Sequence, residues 1–205
     1  MASFDFSRIS PTSLGTLLRA EQCMAHTLLP LWEGARLSGP AYTVRLPRGQ
    51  NLALHAAIYR AEPGSVLVVQ ASDDQYAVAG GNVCAVAQRR GIAGIVVDGV
   101  IRDRAEIRQM RFPVFARGVR PIPGGKSERG EWQVPVECGG FRVNPGDSIV
   151  ADEEGIVCVP EAQAQVLGEA AHTRQKQEHQ ESLDSWAHKH REGVNKALAT
   201  WGEEL

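Results

Sequence analysis

An arginine and an aspartate, Arg102 and Asp103, follow an apolar run and are the residues of this chain best suited to chemistry. The run, Ile92–Val97, is too short for a helix and rich in β-branched residues, which predicts a strand buried on both faces. Asp98-Gly99 is a turn pair, so we expect the strand to stop there. A guanidinium and a carboxylate just past a buried strand stand where open α/β sheets place ligand sites. An ordinary surface ion pair is the alternative.

Two consecutive glycines, Gly80 and Gly81, precede a predicted helix over Asn82–Arg90. Backbone N–H groups are free at a helix N-terminus, and the helix dipole there favours an anion. The preceding strand, Ser65–Gln70, the helix and the next strand would form a βαβ unit with parallel strands. The glycines and Arg102 would then lie at one edge of the sheet and could hold a carboxylate between them. A tight turn that needs glycine geometry is the alternative.

The rest of the chain before Pro160 alternates helical and strand-like segments. Helical spacing of apolar residues predicts further helices at Ser10–Leu31, Leu52–Arg60 and Ala105–Met110. Short apolar runs predict further strands at Ala41–Leu46, Pro113–Phe115, Val134–Val136, Phe141–Val143, Ser148–Ala151 and Ile156–Val159. The last four recur at short intervals, which favours an antiparallel β layer. The prediction is a β-rich α/β domain over residues 1–160.

After Pro160 the sequence becomes one long helical pattern, Glu161–Gly193, within a predicted C-terminal helical arm over residues 161–205. Pro160 suits a helix start. The pattern is apolar at its ends and polar in the middle. Such a helix can reach a neighbouring subunit, and a helix lying along its own domain is equally compatible.

Composition argues against several classes of protein. The chain has 205 residues and a formal net charge of −2, without the basic excess of nucleic-acid binders. Its apolar runs are too short for a membrane span, and its N-terminal sequence is not that of a secretory signal. The scattered cysteines suggest reduced core thiols in a cytoplasmic protein, with neither a zinc site nor a disulfide framework. These cysteines are Cys23, Cys84, Cys138 and Cys158.

Many segments in order between Ser38 and Pro160 resemble the RraA-like family, the proteins similar to regulator of ribonuclease activity A. The matching segments are residues 38–44, 51–58, 63–69, 76–80, 90–103, 113–117, 145–147 and 152–160. The family includes class II pyruvate aldolases acting on 4-hydroxy-4-methyl-2-oxoglutarate and 4-carboxy-4-hydroxy-2-oxoadipate. The resemblance implies an RraA-like layered α/β/β/α sandwich. It also implies a homotrimer or homohexamer with sites between subunits.

The chain departs from the motif of the aldolases, which is an acidic residue, twenty intervening residues and then Arg-Asp. Arg102-Asp103 is intact, whereas Gly81 holds the acidic position. In the family that acid helps to hold metal-bound water, so Gly81 bears on metal affinity and on the aldol step. The family also takes a metal-site glutamate from the C-terminal helix of the adjacent subunit. Glu178 is the best match for it and Glu181 the second.

Retro-aldol cleavage of a 4-hydroxy-2-oxo acid and decarboxylation of oxaloacetate need the same stabilisation, because both generate a pyruvate enolate. Mg²⁺ or Mn²⁺ chelated by the substrate would supply it, with Asp103 and Glu178 as the metal residues. Arg102 would stabilise the enolate oxygen and form the catalytic pair with Asp103. The predicted substrate-binding residues are Gly80, Gly81, Asn82, Val83, Arg102 and Arg117.

Three functions are compatible with these residues. The first is a metal-dependent lyase that releases pyruvate from a small 2-oxo acid. The second, motivated by Gly81, is a non-catalytic regulator that binds a ribonuclease. The third is an RraA-like enzyme for a different oxo acid, whose own group supplies the missing ligand. The pattern places no lysine in the pocket, which disfavours a Schiff-base aldolase, and His55 is interpreted as a packed or capping histidine.

Overall fold

The structure, a computed structural model, describes residues 4–205. Its α-helices are α1 (Pro11–Gly15), α2 (Leu52–Arg60), α3 (Gly81–Arg89), α4 (Arg104–Met110), α5 (Ala164–Gln180) and α6 (Leu183–Ala199). Its strands are β1 (Leu29–Pro30), β2 (Leu37–Arg45), β3 (Val66–Gln70), β4 (Gly94–Ile101), β5 (Val114–Val119), β6 (Glu131–Trp132), β7 (Val136–Cys138), β8 (Phe141–Val143), β9 (Ser148–Asp152) and β10 (Gly155–Val159). The chain divides into two compact units, of which the first ends at Ala171 and the second is His172–Leu205.

The first unit is built around a mixed sheet in the order β1-β5-β4-β3-β2-β9-β10, with β6 also paired to β2. Strands β2 to β5 are parallel to one another, whereas β1, β6, β9 and β10 join antiparallel. Strand β3, helix α3 and strand β4 form the predicted βαβ unit, with Val69 opposite Val97. Strands β7 and β8 form a separate antiparallel pair.

Alternate residues of the central strands face two different cores, because successive side chains of a strand point to opposite faces. In β3, Leu67 and Val69 pack with helices α2, α3 and α4, whereas Val66 and Val68 pack towards β7 to β10. The far face of β9 and β10 packs on α1 and the start of α5, through residues that include Val150. The order is helix, strand, strand, helix, which confirms the predicted α/β/β/α sandwich.

The predicted helix over Ser10–Leu31 is wrong beyond its first turn. Ser10 caps α1 by accepting a hydrogen bond from the Ser13 N–H at 3.1 Å, but the helix ends at Gly15. The segment that follows contains a 3₁₀ turn and the short strand β1. Leu14 packs behind β9 and β10, whereas Met24 and Leu28 pack between the strand layers. The apolar residues therefore serve two cores rather than one helical face.

The strand that leads to Arg102 does not stop at Asp98-Gly99 as predicted, but continues to Ile101. The pairing with β5 shifts between Val97 and Val100, so the Asp98-Gly99 pair forms an irregularity within the strand. A Cβ on Gly99 would lie 2.5 Å from the Ala71 Cβ, so glycine is required there by close packing.

The helical pattern after Pro160 is interrupted, and the prediction of one continuous helix over Glu161–Gly193 is wrong. Helix α5 ends at Gln180, and Ser182 caps α6 by accepting a hydrogen bond from the Ser185 N–H at 3.2 Å. The predicted division at Pro160 stays a prediction. Within residues 4–205, no helix has the length and apolar character to cross a membrane.

Three of the four cysteines are buried core thiols as predicted, whereas Cys23 is exposed. Cys84 lies on α3, and burial, followed by the nearby Asp103 charge, raises the pKa of its thiol to about 12. Cys84 is therefore a protonated packing residue at neutral pH.

Candidate active site

A small pocket of about 100 Å³ opens at the edge of the sheet where β4 ends and α3 begins. Its walls come from the N-terminal end of α2, the segment before α3, the residues after β4 and the loop between β5 and β6. A volume of this size holds several water molecules or one small acid. The polar side chains that line it are Asn51, His55, Asn82, Arg102, Asp103 and Lys126.

Arg102 and Asp103 are directed to the pocket by the backbone that joins β4 to α4. The Arg102 N–H donates to the Ala79 carbonyl at 2.9 Å, which ties the end of β4 to the segment before α3. Asp103 then adopts a left-handed conformation with φ 61° and becomes the N-cap residue of α4. Aspartate is one of the residues that tolerate this conformation. Its carboxylate accepts a hydrogen bond from the Gly81 N–H at 3.0 Å.

The Arg102 guanidinium and the Asp103 carboxylate lie beside the glycine pair and are only loosely joined to each other. The Arg102 Nε and the Asp103 Oδ2 are 3.4 Å apart, and the two side chains are 41% and 34% exposed. A Cβ on Gly80 would lie 2.4 Å from the Asp103 Oδ2 and 3.0 Å from the Arg102 Nε. Gly80 therefore leaves the space that these two groups occupy, and both stay accessible from the pocket.

The N-terminus of α3 presents fewer free amides than predicted. Gly81 donates to Asp103, and Cys84 donates to the Gly80 carbonyl at 3.0 Å. Asn82 and Val83, which also line the pocket, occupy first-turn positions whose N–H groups have no partner within a helix. An anion would therefore be held by these two amides, with the helix dipole in support.

Asn51 lines the pocket and is 3% exposed, yet its Oδ1 has no hydrogen-bond partner among residues 4–205. The other side of the amide is fixed, because its Nδ2 donates to the Gly124 carbonyl at 3.0 Å. An unpaired buried acceptor costs about 1–3 kcal/mol. This orphaned oxygen therefore favours a ligand that donates a hydrogen bond or positive charge in the pocket.

His55 also lines the pocket, one turn after Asn51. The interpretation of His55 as a packed or capping histidine did not include this position. Burial lowers the pKa of His55, the positive charges of Lys126 and Arg102 lower it further, and a hydrogen bond to the backbone of Val78 acts in the opposite direction. His55 is therefore a neutral imidazole at pH 7 and can accept a proton.

Lys126 lines the pocket, so the expectation that no lysine lies there is wrong. The loop that carries it returns across the pocket and is fixed by backbone hydrogen bonds. Asn51 N–H donates to the Gly125 carbonyl at 2.9 Å, and Ala77 N–H donates to the Ile122 carbonyl at 2.8 Å. No local pattern predicts this return. The one-turn spacing of Asn51 and His55, in contrast, is a local signal that could have placed these two side chains together.

Two predicted site residues are placed away from this pocket. Arg117 donates from Nε to the Asp98 Oδ1 and from Nη1 to the Thr27 Oγ1 at 2.8 Å, and it lines a different depression. It therefore does not contribute to the pocket of Arg102. Glu178 lies in the second unit, where it pairs with Arg174 at 2.8 Å. Its role in the site of an adjacent subunit stays a prediction.

Comparison with known proteins identifies the family. A model of the RraA-like family, described as Aldolase/RraA, matches residues 12–158. The chain belongs to the RraA-like family. This confirms the resemblance seen from Ser38 to Pro160 and extends it into the N-terminal segment.

The proteins to which this RraA-like chain is similar include some named as aldolases and some named as RraA inhibitors. A protein from Halalkalibacterium halodurans named "Putative 4-hydroxy-4-methyl-2-oxoglutarate aldolase" is 38% identical over 171 residues, which are 83% of this chain and 81% of that protein. The solved structure of the RNA-processing inhibitor RraA from Thermus thermophilis is 30% identical, with a TM-score of 0.68 over 73% of this chain and 92% of its own. Streptomyces coelicolor RraAS2, described as an unusual member of the RNase ES inhibitor RraA protein family, is 33% identical, with a TM-score of 0.74. The match covers 84% of this chain and 90% of that one. The RraA-like fold is thereby confirmed.

Proposed function

We propose that this RraA-like protein is a divalent-metal-dependent lyase that releases pyruvate from a 4-hydroxy-2-oxo acid, or from oxaloacetate, through the pyruvate enolate. The observation that carries the proposal is the convergence of Arg102, Asp103 and the first amides of α3 on one small pocket. The name of the H. halodurans relative supports the reaction class.

The substrate carboxylate would bind the Asn82 and Val83 amides, with Arg102 beside it. The Arg102 fork would also donate to the 2-oxo oxygen, where negative charge develops as the enolate forms. Donors placed in advance at such an oxygen commonly lower the barrier by ~3–4 kcal/mol each. Arg102 thus both orients the substrate and stabilises its reacting part.

Asp103 and the orphaned oxygen of Asn51 fit a hard cation such as Mg²⁺ or Mn²⁺, because such ions prefer oxygen donors. Among residues 4–205, no group of three or more His, Cys, Asp or Glu side chains is placed to hold a metal ion. The protein would therefore supply few ligands, while water and substrate supply the rest, as Mg²⁺ prefers. A bound cation would contribute Lewis-acid stabilisation of the developing charge.

The retro-aldol step requires that the 4-hydroxyl group lose its proton while the bond between C3 and C4 breaks. The electrons of that bond form the enolate, and the 4-hydroxyl oxygen becomes a carbonyl. We assign the proton acceptance to His55, because it is neutral at pH 7 and lines the pocket. Protonation of the enolate at C3 then gives pyruvate.

A coupled lactate dehydrogenase assay with Mg²⁺ or Mn²⁺ tests the proposal on oxaloacetate and on 4-hydroxy-2-oxo acids. We expect pyruvate formation that depends on the metal and is lost in Arg102→Ala. Arg108→Ala, which removes an exposed arginine of α4, is the matched control. Absence of metal-dependent turnover on these substrates would end the proposal.

Lys126 offers a different chemistry, in which an amine forms a Schiff base with the 2-oxo group. Schiff-base lysines are activated by desolvation or by a cationic neighbour, and Lys126 is exposed. Borohydride added during turnover would trap such an intermediate as a stable mass increase on Lys126. We expect no trapping, and a trapped adduct would replace the metal-dependent mechanism.

Gly81 supports a second candidate, a regulator that binds a ribonuclease, because the aldolase motif lacks its acid there. The likeness to the T. thermophilis inhibitor also supports this function. A pull-down with the ribonuclease separates the two candidates. A third outcome, turnover of a different oxo acid alone, would keep the site and change the substrate.

A further inference from the structure

Lys126 brings to the pocket a positive charge that the proposed reaction does not use. It lines the pocket and is exposed, and no hydrogen bond or ion pair within residues 4–205 engages its ammonium group. Its charge acts inside the pocket, because it is one of the two cations that lower the pKa of His55. Lys126 therefore lies at the mouth of the pocket with its donors available to a ligand.

The loop that carries Lys126 is fixed on both sides of this residue. Before it, the Gly125 N–H donates to the Gly49 carbonyl at 2.8 Å. After it, the Gln50 Oε1 accepts a hydrogen bond from the Ser127 N–H at 3.0 Å. A side chain on a backbone that is already ordered loses less conformational freedom when it binds a ligand, which strengthens binding.

The charges of the pocket exceed what a monocarboxylate needs. Among the described residues that line it, Arg102 and Lys126 are positive and Asp103 is the single carboxylate. In the proposed reaction, Arg102 and the first amides of α3 hold the pyruvyl part of the substrate. A second carboxylate on the substrate would give the Lys126 ammonium a charge-assisted hydrogen bond.

The size of the pocket indicates where that second carboxylate would lie. A volume of about 100 Å³ accommodates a small acid such as the pyruvyl part. The substituents of C4 then extend towards the mouth, where Lys126 is exposed. C4 and its substituents form the half of the substrate that leaves in a retro-aldol reaction.

We propose that Lys126 is a specificity-determining residue, which binds a carboxylate on the leaving half and thereby selects 4-hydroxy-2-oxo dicarboxylic acids. Gln50 is a positioning residue that acts through the loop. The inference rests on the proposed function for its effect on catalysis, but the ligand preference can be measured without turnover.

This contact would affect the two candidate reactions differently. In retro-aldol cleavage the distal carboxylate leaves unchanged, as part of a 2-oxo acid. In oxaloacetate the distal carboxylate loses its charge and leaves as CO₂, while the electrons of the bond between C3 and C4 form the enolate. A cation that holds this carboxylate stabilises the ground state more than the transition state, so Lys126 would not promote decarboxylation.

The first experiment compares 2-oxoglutarate with 2-oxopentanoate by isothermal titration calorimetry in the presence of Mg²⁺. The two acids have the same chain length, differ only in the distal carboxylate, and lack the 4-hydroxyl group that cleavage requires. We expect wild type to prefer 2-oxoglutarate about tenfold, Lys126→Met to reduce this preference to about twofold, and Lys126→Arg to keep it. Lys196→Met, which changes an exposed lysine of α6, is the control and should behave as wild type.

Gln50→Leu tests the positioning role, because it removes the acceptor of the Ser127 N–H. We expect the preference for 2-oxoglutarate to fall about threefold, with the affinity for 2-oxopentanoate unchanged and circular dichroism showing an intact fold. Equal losses of affinity for both acids would indicate general damage to the pocket and overturn this role.

The second experiment measures kcat/KM for 4-hydroxy-2-oxoglutarate, 4-hydroxy-2-oxopentanoate and oxaloacetate. Lys126→Met should lower the first value about tenfold, leave the second within about twofold, and leave the third unchanged or raised. Equal losses on all three substrates would overturn the specificity role.

The outcomes separate this inference from the proposed function. A preference for 2-oxoglutarate that depends on Lys126, in a protein without lyase activity, would support the inference and remove the reaction. An active lyase whose substrate preference is unchanged in Lys126→Met would remove the inference and keep the reaction. A wild-type protein that binds the two acids equally, or binds neither, would overturn the inference directly.

Discussion

Two arginine–aspartate pairs lie near the ends of β4 and β5, and they differ in how fully their side chains are engaged in hydrogen bonds. We call Arg117–Asp98 the closed pair and Arg102–Asp103 the open pair. Arg117 donates to Asp98 and to Thr27, and the other Asp98 oxygen accepts from the Gly139 N–H at 2.8 Å. The hydrogen bond from Arg117 to Asp98 raises the pKa of the guanidinium. In contrast, the Arg102 Nε and the Asp103 Oδ2 are 3.4 Å apart.

This difference separates an ion pair that joins elements from one that is open to a ligand. The Arg117 pair links β4, β5 and the turn between β7 and β8, so its hydrogen bonds serve the fold. The Arg102 pair is held in place by backbone hydrogen bonds instead, and the Arg102 side chain lines the pocket. Residue type alone does not distinguish them: the sequence predicts substrate binding for both arginines, and a catalytic role for Arg102 only.

The largest expected effect comes from removing each arginine in turn. In the proposed lyase reaction, Arg102→Ala should lower kcat by about 100–1000-fold, because it would remove a donor to the developing enolate charge. Arg117→Ala should change kcat by no more than about threefold, since its guanidinium is engaged outside the pocket and a surface change leaves the donors in place. The coupled assay measures both. Equal losses in the two variants would contradict the distinction between the open and closed pairs.

A smaller effect is expected from filling the space beside the open pair. In Gly80→Ala the new Cβ would lie 2.4 Å from the Asp103 Oδ2, so the carboxylate must move. Displacement by about 1 Å can cost about 100-fold in rate, and we expect a loss of about 10–100-fold. Gly118→Ala is the control, because a Cβ there meets nothing within 4 Å. A Gly80→Ala enzyme with wild-type kcat would show that the placement of Asp103 is not critical.

The sequence predicts the central βαβ unit well because local rules and burial agree there. The β-branched run before Asp98 is buried, and Gly91, with φ 77°, ends α3 in the left-handed conformation expected of a helix C-terminus. The N-terminal segment is predicted badly because Leu14 and Leu28 have helical spacing but belong to different cores. Periodicity detects one apolar face and does not detect a chain that crosses between two.

The residues of the candidate site also differ in how well the sequence predicts their positions. Arg102, Asp103 and the first turn of α3 follow one another along a single βαβ unit, so their proximity follows from local structure. Lys126 enters the pocket through a long loop whose position depends on hydrogen bonds to distant segments. Contacts of that kind are set by tertiary structure and have no local signal. The same holds for Glu106, whose Oε2 would lie 1.9 Å from a Cβ on Gly81.

The closed pair should contribute to stability rather than to catalysis. Arg117→Ala should lower the free energy of unfolding by about 1 kcal/mol, because it leaves the half-buried Asp98 with fewer donors. The pair is partly exposed, and this limits the effect. Urea denaturation measures it, and Arg102→Ala should lower the free energy less. A larger loss of stability in Arg102→Ala would reverse the roles assigned to the two arginines.

The smallest effect concerns pH and His55, which lies on the side of the open pair. Its pKa in the folded protein is below the ordinary 6.5, because burial and the charges of Lys126 and Arg102 disfavour protonation. Above about pH 6.5 both the folded and the unfolded states hold it neutral, and its contribution to stability is fully present. As the pH falls below that value the unfolded state takes up the proton first, so stability declines until the folded pKa is passed.

We therefore expect wild type to lose more unfolding free energy between pH 8 and pH 5 than His55→Gln. The difference should correspond to the uptake of one proton by His55 on unfolding. His26→Gln, which changes an exposed histidine, is the control and should follow wild type. If His55→Gln followed wild type as well, the imidazole would not be held neutral by the cations around the open pair.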